Sequence, residues 1–441
     1  MKPLRSILSL LLIGIILLAH PANAFAFCGF YVAKADAKLY NQASQVIIAR
    51  DGDRTILTMA NDYQGDVKDF ALVVPVPVVL QEEQVQIGDS SIIERLDAFS
   101  APRLVEYFDS DPCTAYLRRD AVPAPMAQSA PGSTRGASAD EAFGVTVESR
   151  FSVGEYDIAI LSARESNGLE NWLNHNGYRI PRGANQVLHP YIRQGMKFFV
   201  AKVNLGEFEK AGIQLLRPLM IAYESPKFML PIRLGTINSQ GEQDLIVYIL
   251  SRQGQAEVTN YRTVKIPSDA EIPLFVKNEF SEFYKAMFQN TYQREGRNVA
   301  FLEYAWDTAN CDPCSADPPT LEELKKAGVF WLDNNSNRWP NVFISRIHVR
   351  YTRDKFPEDL TFQTTANKQL FQGRYVLRHP YTGEVNCSAG YEYKRMLARR
   401  FEEEAQTLAK LTNWNIQDIR QKMNVAEVVD IPWWRRIWPL R

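Results

Sequence analysis

The sequence predicts an α+β fold: mainly antiparallel β-sheets in two lobes, with flanking helices and a helical C-terminal segment. Three observations predict it. Short runs rich in β-branched residues are joined by Gly, Pro or polar turns, not by regularly alternating helices. Apolar residues at helical spacing are confined to a few segments and become longest towards the C-terminus. Apolar residues make up 46% of the chain and charged residues 23%, the balance of a chain that folds around a core.

The elements follow in order. Lys2 and Arg5 precede an unbroken apolar run over 7–19, and Ala22-Asn23-Ala24 supplies small residues for a signal peptidase, so residues 1–24 read as a signal peptide cut near Ala24. Export to a periplasmic or extracellular space is the expectation. Cleavage leaves 417 residues (441 minus 24), a length for two or three domains. Residues 45–50 and 55–59 are β-rich and flank the turn residues Asp51-Gly52-Asp53. Residues 70–77 form an apolar run, but Pro75 and Pro77 lack ladder donors, so its end lies at a sheet edge or leaves the sheet.

Ser91-Ile92-Ile93-Glu94 has capping-box spacing and predicts a short helix to about residue 99. Residues 120–143 turn abruptly to Ala, Pro, Ser and Gly; no core can be built from them, and they read as a mobile surface loop. Strands resume at 156–162, followed by a helix with Leu169, Trp172 and Leu173 on one face, closed by Gly177. Further strands fall at 198–204, 219–223, 228–234 and 245–251. A boundary near 266–273 divides a β-rich lobe (25–266) from a second α+β lobe (267–390), and 391–441 is a helical segment with a Trp/Arg-rich tail. In the second lobe Phe280, Phe283, Tyr284, Met287 and Phe288 stripe a helix towards the core. Residues 298–306, 342–352 and 372–379 read as strands. Thr320-Leu321-Glu322-Glu323 caps a helix that Gly328 ends.

Five cysteines follow the signal: Cys28, Cys113, Cys311, Cys314 and Cys387. In an oxidising compartment all five are disulfide candidates. Two bridges and one free thiol allow 15 connectivities (five choices of free thiol times three pairings). Cys311-Asp312-Pro313-Cys314 closes the smallest loop and is the favoured local pair. That spacing also suits a redox dithiol, yet the nearest capped helix begins only at Thr320, too far on to stabilise a thiolate. A zinc site needs four ligands, and His175, His189, His348 and His379 are widely separated, so no metal and no cofactor is expected.

Strand alternation over 342–352 places Arg346, His348 and Arg350 on one face, which could receive a carboxylate, phosphate or sulfated sugar or pair with acids on a neighbouring strand. The tail gathers Trp433, Trp434, Arg435, Arg436 and Trp438, suited either to a membrane interface or to docking on the protein's own surface. The segment after the signal holds 48 Lys and Arg (50 less Lys2 and Arg5) against 51 Asp and Glu, a balance that gives nucleic acid no attraction. The sequence has no Gly-rich phosphate loop, dinucleotide fingerprint, His-Glu-x-x-His or Gly-x-Ser-x-Gly.

Taken in order, several segments resemble an exported bacterial family known as domain of unknown function 2330: Cys28-Gly29-Phe30, residues 69–77, Ala101-Pro102-Arg103, Pro231-Ile232-Arg233-Leu234, Glu303-Tyr304-Ala305-Trp306, Cys311-Asp312-Pro313-Cys314 and residues 374–380. The resemblance runs from about Cys28 to Cys387. It departs near the start, where the family leads one to expect a second cysteine and Tyr31-Val32-Ala33-Lys34 stands instead. It implies export and brings no activity, cofactor or active site. The expectation is a non-catalytic binding or envelope-associated protein, with an anionic ligand or envelope component as partner. The alternative is a thiol-disulfide oxidoreductase using Cys311 and Cys314.

Overall fold

The computed structural model describes residues 30–33, 40–41, 44–60, 63–64, 70–114, 145–175, 183–210, 216–237, 241–310, 317–332 and 341–423. The expected signal peptide, the 120–143 loop, Cys28, Cys311, Cys314 and the Trp/Arg tail lie outside the described residues.

Strands β1 (Phe30–Ala33), β2 (Tyr40–Asn41), β3 (Ser44–Asp51), β4 (Arg54–Ala60), β5 (Tyr63–Gln64), β6 (Phe70–Val76) and β7 (Val85–Ile87) lead to helix α1 (Ser90–Ser100). Strands β8 (Arg103–Phe108), β9 (Val145–Val153) and β10 (Tyr156–Ala163) precede helices α2 (Ser166–His175) and α3 (Ala184–Arg193). Then come β11 (Lys197–Val203), α4 (Leu205–Lys210), β12 (Leu219–Glu224), β13 (Met229–Leu230), β14 (Gln243–Ser251), β15 (Ala256–Val258), β16 (Arg262–Lys265) and β17 (Ala270–Glu271). The rest comprises α5 (Phe280–Arg294), β18 (Val299–Asp307), α6 (Leu321–Lys326), β19 (Phe343–Tyr351), β20 (Leu360–Thr364), β21 (Phe371–Gln372), β22 (Arg374–His379), α7 (Ser388–Thr412) and α8 (Ile416–Met423).

The fold is α+β, with mixed sheets in which antiparallel pairs predominate. A nine-stranded sheet runs β16-β18-β19-β14-β3-β4-β12-β7, with β21 paired to β18, and a five-stranded sheet runs β1-β6-β11-β10-β9. Period-2 geometry gives each strand two faces, and in the central strands β3, β14 and β19 both are largely buried. Val46 and Ile48 of β3, Leu57 and Met59 of β4, and Leu245 and Val247 of β14 face the other sheet's Val74, Ile160 and Phe199. This inter-sheet layer is the main core, and each aliphatic side chain buried there contributes about 1.5–3 kcal/mol. On the opposite face, Ile47, Ala49, Tyr248 and Ile344 meet Ile92, Ile93, Leu96 and Phe99 of α1 and Leu324 of α6. α2 and α3 cover the outer face of the five-stranded sheet through Leu169, Leu173, Leu188 and Tyr191. α5, α7 and α8 pack together over β18 and β22, with Phe283, Met287 and Phe288 buried as the stripe predicts.

Several local expectations are met and some are corrected. The β6 run ends where only one neighbour remains: β1 reaches Val73, and Pro75 pairs with Phe198 of β11. Thr320 and Glu323 form the predicted capping box, and Gly328 stops that segment at φ +91°, where a Cβ would meet Ile56 Cγ2 at 2.7 Å. The α1 helix is present, but its cap is Asp89, not Ser91; the Asp89 carboxylate accepts from the Ser91 N–H at 3.0 Å and Ser91 Oγ at 2.6 Å. The strand expected over 228–234 shrinks to β13, because Asp359 Oδ1 accepts the N–H groups of Ile232 (3.0 Å) and Arg233 (3.1 Å) and so withdraws them from a ladder. The boundary expected near 266–273 does not part the sheets: β14 before it and β19 after it pair from Gln243↔Tyr351 to Ser251↔Phe343. Pairing partners are chosen by matching apolar faces across the whole chain, which a local turn signal does not encode.

Candidate functional site

β19 places Arg346, His348 and Arg350 on its outer face, as the alternation predicts, while Ile347 and Val349 enter the inter-sheet core. That outer face is roofed by α1 and α5, so the three basic groups are enclosed: Arg346 is 5% exposed and His348 7%. Burying cations requires carboxylates, and three are supplied. They are Glu303 on β18, Asp244 on β14 and Asp97 on α1.

Glu303 sits at a β-bulge. β18 pairs with β19 through Phe301↔His348 and Leu302↔Ile347, then resumes at Tyr304↔Arg346, so Glu303 is the extra residue. Glu303 lies two residues after Phe301 and so shares the face carrying the cations by ordinary alternation; the bulge sets Tyr304 on that same face beside it. Glu303 is fully buried and accepts from Arg346 Nε at 2.6 Å, from His348 Nδ1 at 2.7 Å and from the Tyr284 hydroxyl of α5. His348 Nε2 donates to Asp244 Oδ1 at 3.1 Å, and Arg350 grips both Asp244 oxygens at 2.8 Å. At the other end Arg346 Nη1 donates to Asp97 Oδ1 at 2.6 Å, and the Tyr248 hydroxyl donates to the same oxygen at 2.8 Å. The result is an alternating ladder of charges, Asp97–Arg346–Glu303–His348–Asp244–Arg350, across three strands and α1.

Its electrostatics follow from this pairing. Burial alone would neutralise Glu303, yet the positive charges of His348 and Arg346 and the hydrogen bonds it accepts hold its carboxyl down at about 2. Burial also opposes a charge on His348, and the Glu303 carboxylate with the Asp244 hydrogen bond outweighs it, raising the imidazole to about 9. Burial, reinforced by the Glu303 charge, pushes the Tyr284 phenol well above its usual range, so it remains a donor. The Phe288 ring stacks on the imidazole, centroids 4.1 Å apart. An imidazolium with both N–H groups given to carboxylates has no lone pair with which to take a proton, so this His–Glu pair is not arranged as a general base.

Of these partners, the sequence pointed to the three bases for their charge, to Tyr284 as a core residue, and to Glu303 only within the family-like segment Glu303-Tyr304-Ala305-Trp306. The available signal for Glu303 is an isolated acid inside the apolar run of β18. Of the disulfide candidates, Cys113 and Cys387 are bridged. That leaves three connectivities for Cys28, Cys311 and Cys314, which lie outside the described residues. Among the described residues, no group of His, Cys, Asp or Glu is placed to hold a metal, and no helix is long and apolar enough to cross a membrane.

A second feature opens to solvent. A cleft of about 330 Å³ lies beside β15 and β16, lined by Gln255, Glu257, Arg262, Thr263, Lys265 and Asn367. β16 ends the nine-stranded sheet, and both its terminal residues, Arg262 and Lys265, are exposed. Arg262 donates to Glu295 Oε2 at 2.8 Å, and Lys265 donates to Gln369 Oε1 at 3.2 Å while lying over the Phe371 ring. Pairs at this exposure are held weakly, and their cations can exchange one acceptor for another at small cost. The Gln255 amide bridges Glu257 and Asn367, which fixes the orientation of amide donors and acceptors along the wall.

The family described as "Uncharacterized protein conserved in bacteria (DUF2330)" matches residues 21–363. No curated protein and no solved structure matches the chain.

Proposed function

Since the chain belongs to the DUF2330 family, whose description assigns no activity, we propose from its own surface that it is an exported, non-catalytic binding protein whose ligand contact is the cleft beside β16. The observation that carries this reading is the contrast between its two basic regions. Arg346, His348 and Arg350 are enclosed with the protein's own carboxylates, whereas Lys265 and Arg262, the latter in an exposed pair with Glu295, stand at solvent on the cleft wall. Alongside them are amide and hydroxyl groups that suit a small polar ligand carrying an acidic group. The Cys113–Cys387 bridge supports export, because such bridges persist in oxidising compartments.

Glucuronate, with glucose as its uncharged counterpart, tests the cleft. Titration followed by two-dimensional NMR is expected to shift the amides of residues 255–265 and 367 with glucuronate and much less with glucose. The Arg262→Glu/Lys265→Glu variant is expected to weaken binding at least tenfold, about 1.4 kcal/mol. Equal binding by that variant, or shifts confined to other residues, would overturn the assignment.

A further inference from the structure

The Cys113–Cys387 bridge joins the turn after β8 to the N-cap of α7, across 274 residues of sequence. Its two sulfurs have different surroundings. Cys387 is the N-cap of a 25-residue helix, and its Sγ accepts the Gly390 N–H at 3.2 Å. Cys113 is exposed at the surface, and its own N–H is held by the Asp111 carboxylate at 2.8 Å. Negative charge on sulfur is therefore favoured at Cys387, by a hydrogen bond and the helix N-terminus.

We propose that this bridge is a thiol–disulfide exchange site, with Cys113 as the sulfur attacked and Cys387 as the sulfur that leaves. An incoming thiolate forms a bond to Cys113 Sγ while the Cys113–Cys387 bond breaks. The electron pair departs on Cys387, where the Gly390 N–H receives it. The partner class is a protein dithiol: its second thiol, on losing its proton, displaces the first sulfur from Cys113, and Cys113 takes up a proton. The bridge is thereby reduced by two electrons and the dithiol is oxidised to its disulfide. The reverse sequence closes the bridge. Attack is directed to Cys113 twice over, because Cys113 is the more exposed residue of the two and because its loss of the bond releases the better leaving group.

Opening frees a local latch and leaves the scaffold tied. Asp109, just after β8, donates its N–H to His379 O at 3.0 Å, and its carboxylate accepts from the Tyr393 hydroxyl at 2.6 Å and Arg400 Nη1 at 2.7 Å. β8 itself stays paired with β22 from Arg103↔Arg374 to Phe108↔His379. The part released from α7 is therefore the exposed stretch around Cys113.

The full chain, pulsed with reduced glutathione, quenched with acid and mapped by peptide mass spectrometry, tests the direction of exchange. The mixed disulfide is expected on Cys113. Alkylation rate against pH, followed peptide by peptide in Cys113→Ser and Cys387→Ser, is expected to show Cys387 reacting as thiolate at least one pH unit below an ordinary thiol, about 8.5, and Cys113 at or above it. A one-unit difference makes Cys387 tenfold the better-stabilised thiolate. Glutathione found mainly on Cys387, or a bridge that stays closed in buffers that open an unstrained model disulfide, would overturn the proposal. The pulse on the wild-type chain decides the matter even where a single-serine variant fails to fold.

Discussion

Replacing Glu303 with alanine is expected to lower stability by about 3–5 kcal/mol, the cost of stranding buried charge. The side chain is fully buried and serves Arg346, His348 and Tyr284 at once. Without it, Arg346 keeps Asp97 and the Tyr248 hydroxyl, and His348 keeps only Asp244, under a Phe288 ring that excludes water from one face. Glu303→Gln keeps the volume and one acceptor, and is expected to cost less than alanine but well over the 0–1 kcal/mol of an exposed pair. Urea unfolding of both variants at pH 7 measures this. A loss below about 1 kcal/mol for Glu303→Ala would mean that the ladder is solvated and interchangeable.

Removing the bridge by the paired change Cys113→Ser/Cys387→Ser is expected to cost about 2–4 kcal/mol, with a chain-entropy ceiling of about 5. The reason is the 274-residue separation: a link of that span excludes a large share of the unfolded ensemble. The Asp109 contacts to Tyr393 and Arg400 hold the folded junction in either case, so most of the loss arises in the unfolded state. Unfolding in urea with and without dithiothreitol separates the terms. The reductant is expected to shift the wild-type curve and leave the double variant nearly unchanged. A double variant as stable as the oxidised wild type would show that the bridge restrains nothing.

Much of the local structure was legible in the sequence, and for identifiable reasons. The β-branched runs of β3 and β4, the alternation of β19, the Thr320–Glu323 box and the aromatic stripe of α5 are set by nearest neighbours along the chain. Sheet order is not. β14 lies parallel to β3, Leu245↔Ser44 to Ser251↔Arg50, about 200 residues apart, and β8 lies parallel to β22. The helix α3 carries Pro190 inside it, which in sequence reads as a break although Val187, Leu188 and Tyr191 reach the core. The basic face of β19 was legible, and what lies against it was not. Three acids on two other strands and a helix meet it only in the fold, and of these Glu303 shows in its own segment as a lone acid among apolar residues.

That enclosure is the central claim: the bases of β19 belong to the scaffold, and the proposed ligand contact lies elsewhere. The sign of its pH dependence is fixed. His348 is raised to about 9, so the stability its charge confers is full below the unfolded value of about 6.5 and is lost as pH rises towards 9. Glu303 is held at about 2, so its contribution is present above about 4.5 and is lost only as pH falls towards 2. The most direct measurement is the imidazole titration of His348, followed by NMR with His348→Gln to assign the resonance. The ring is expected to stay doubly protonated at pH 7 and to titrate near 9. A ring that titrates near 6.5, as a solvated histidine does, would contradict the claim and return Arg346, His348 and Arg350 to the ligand surface.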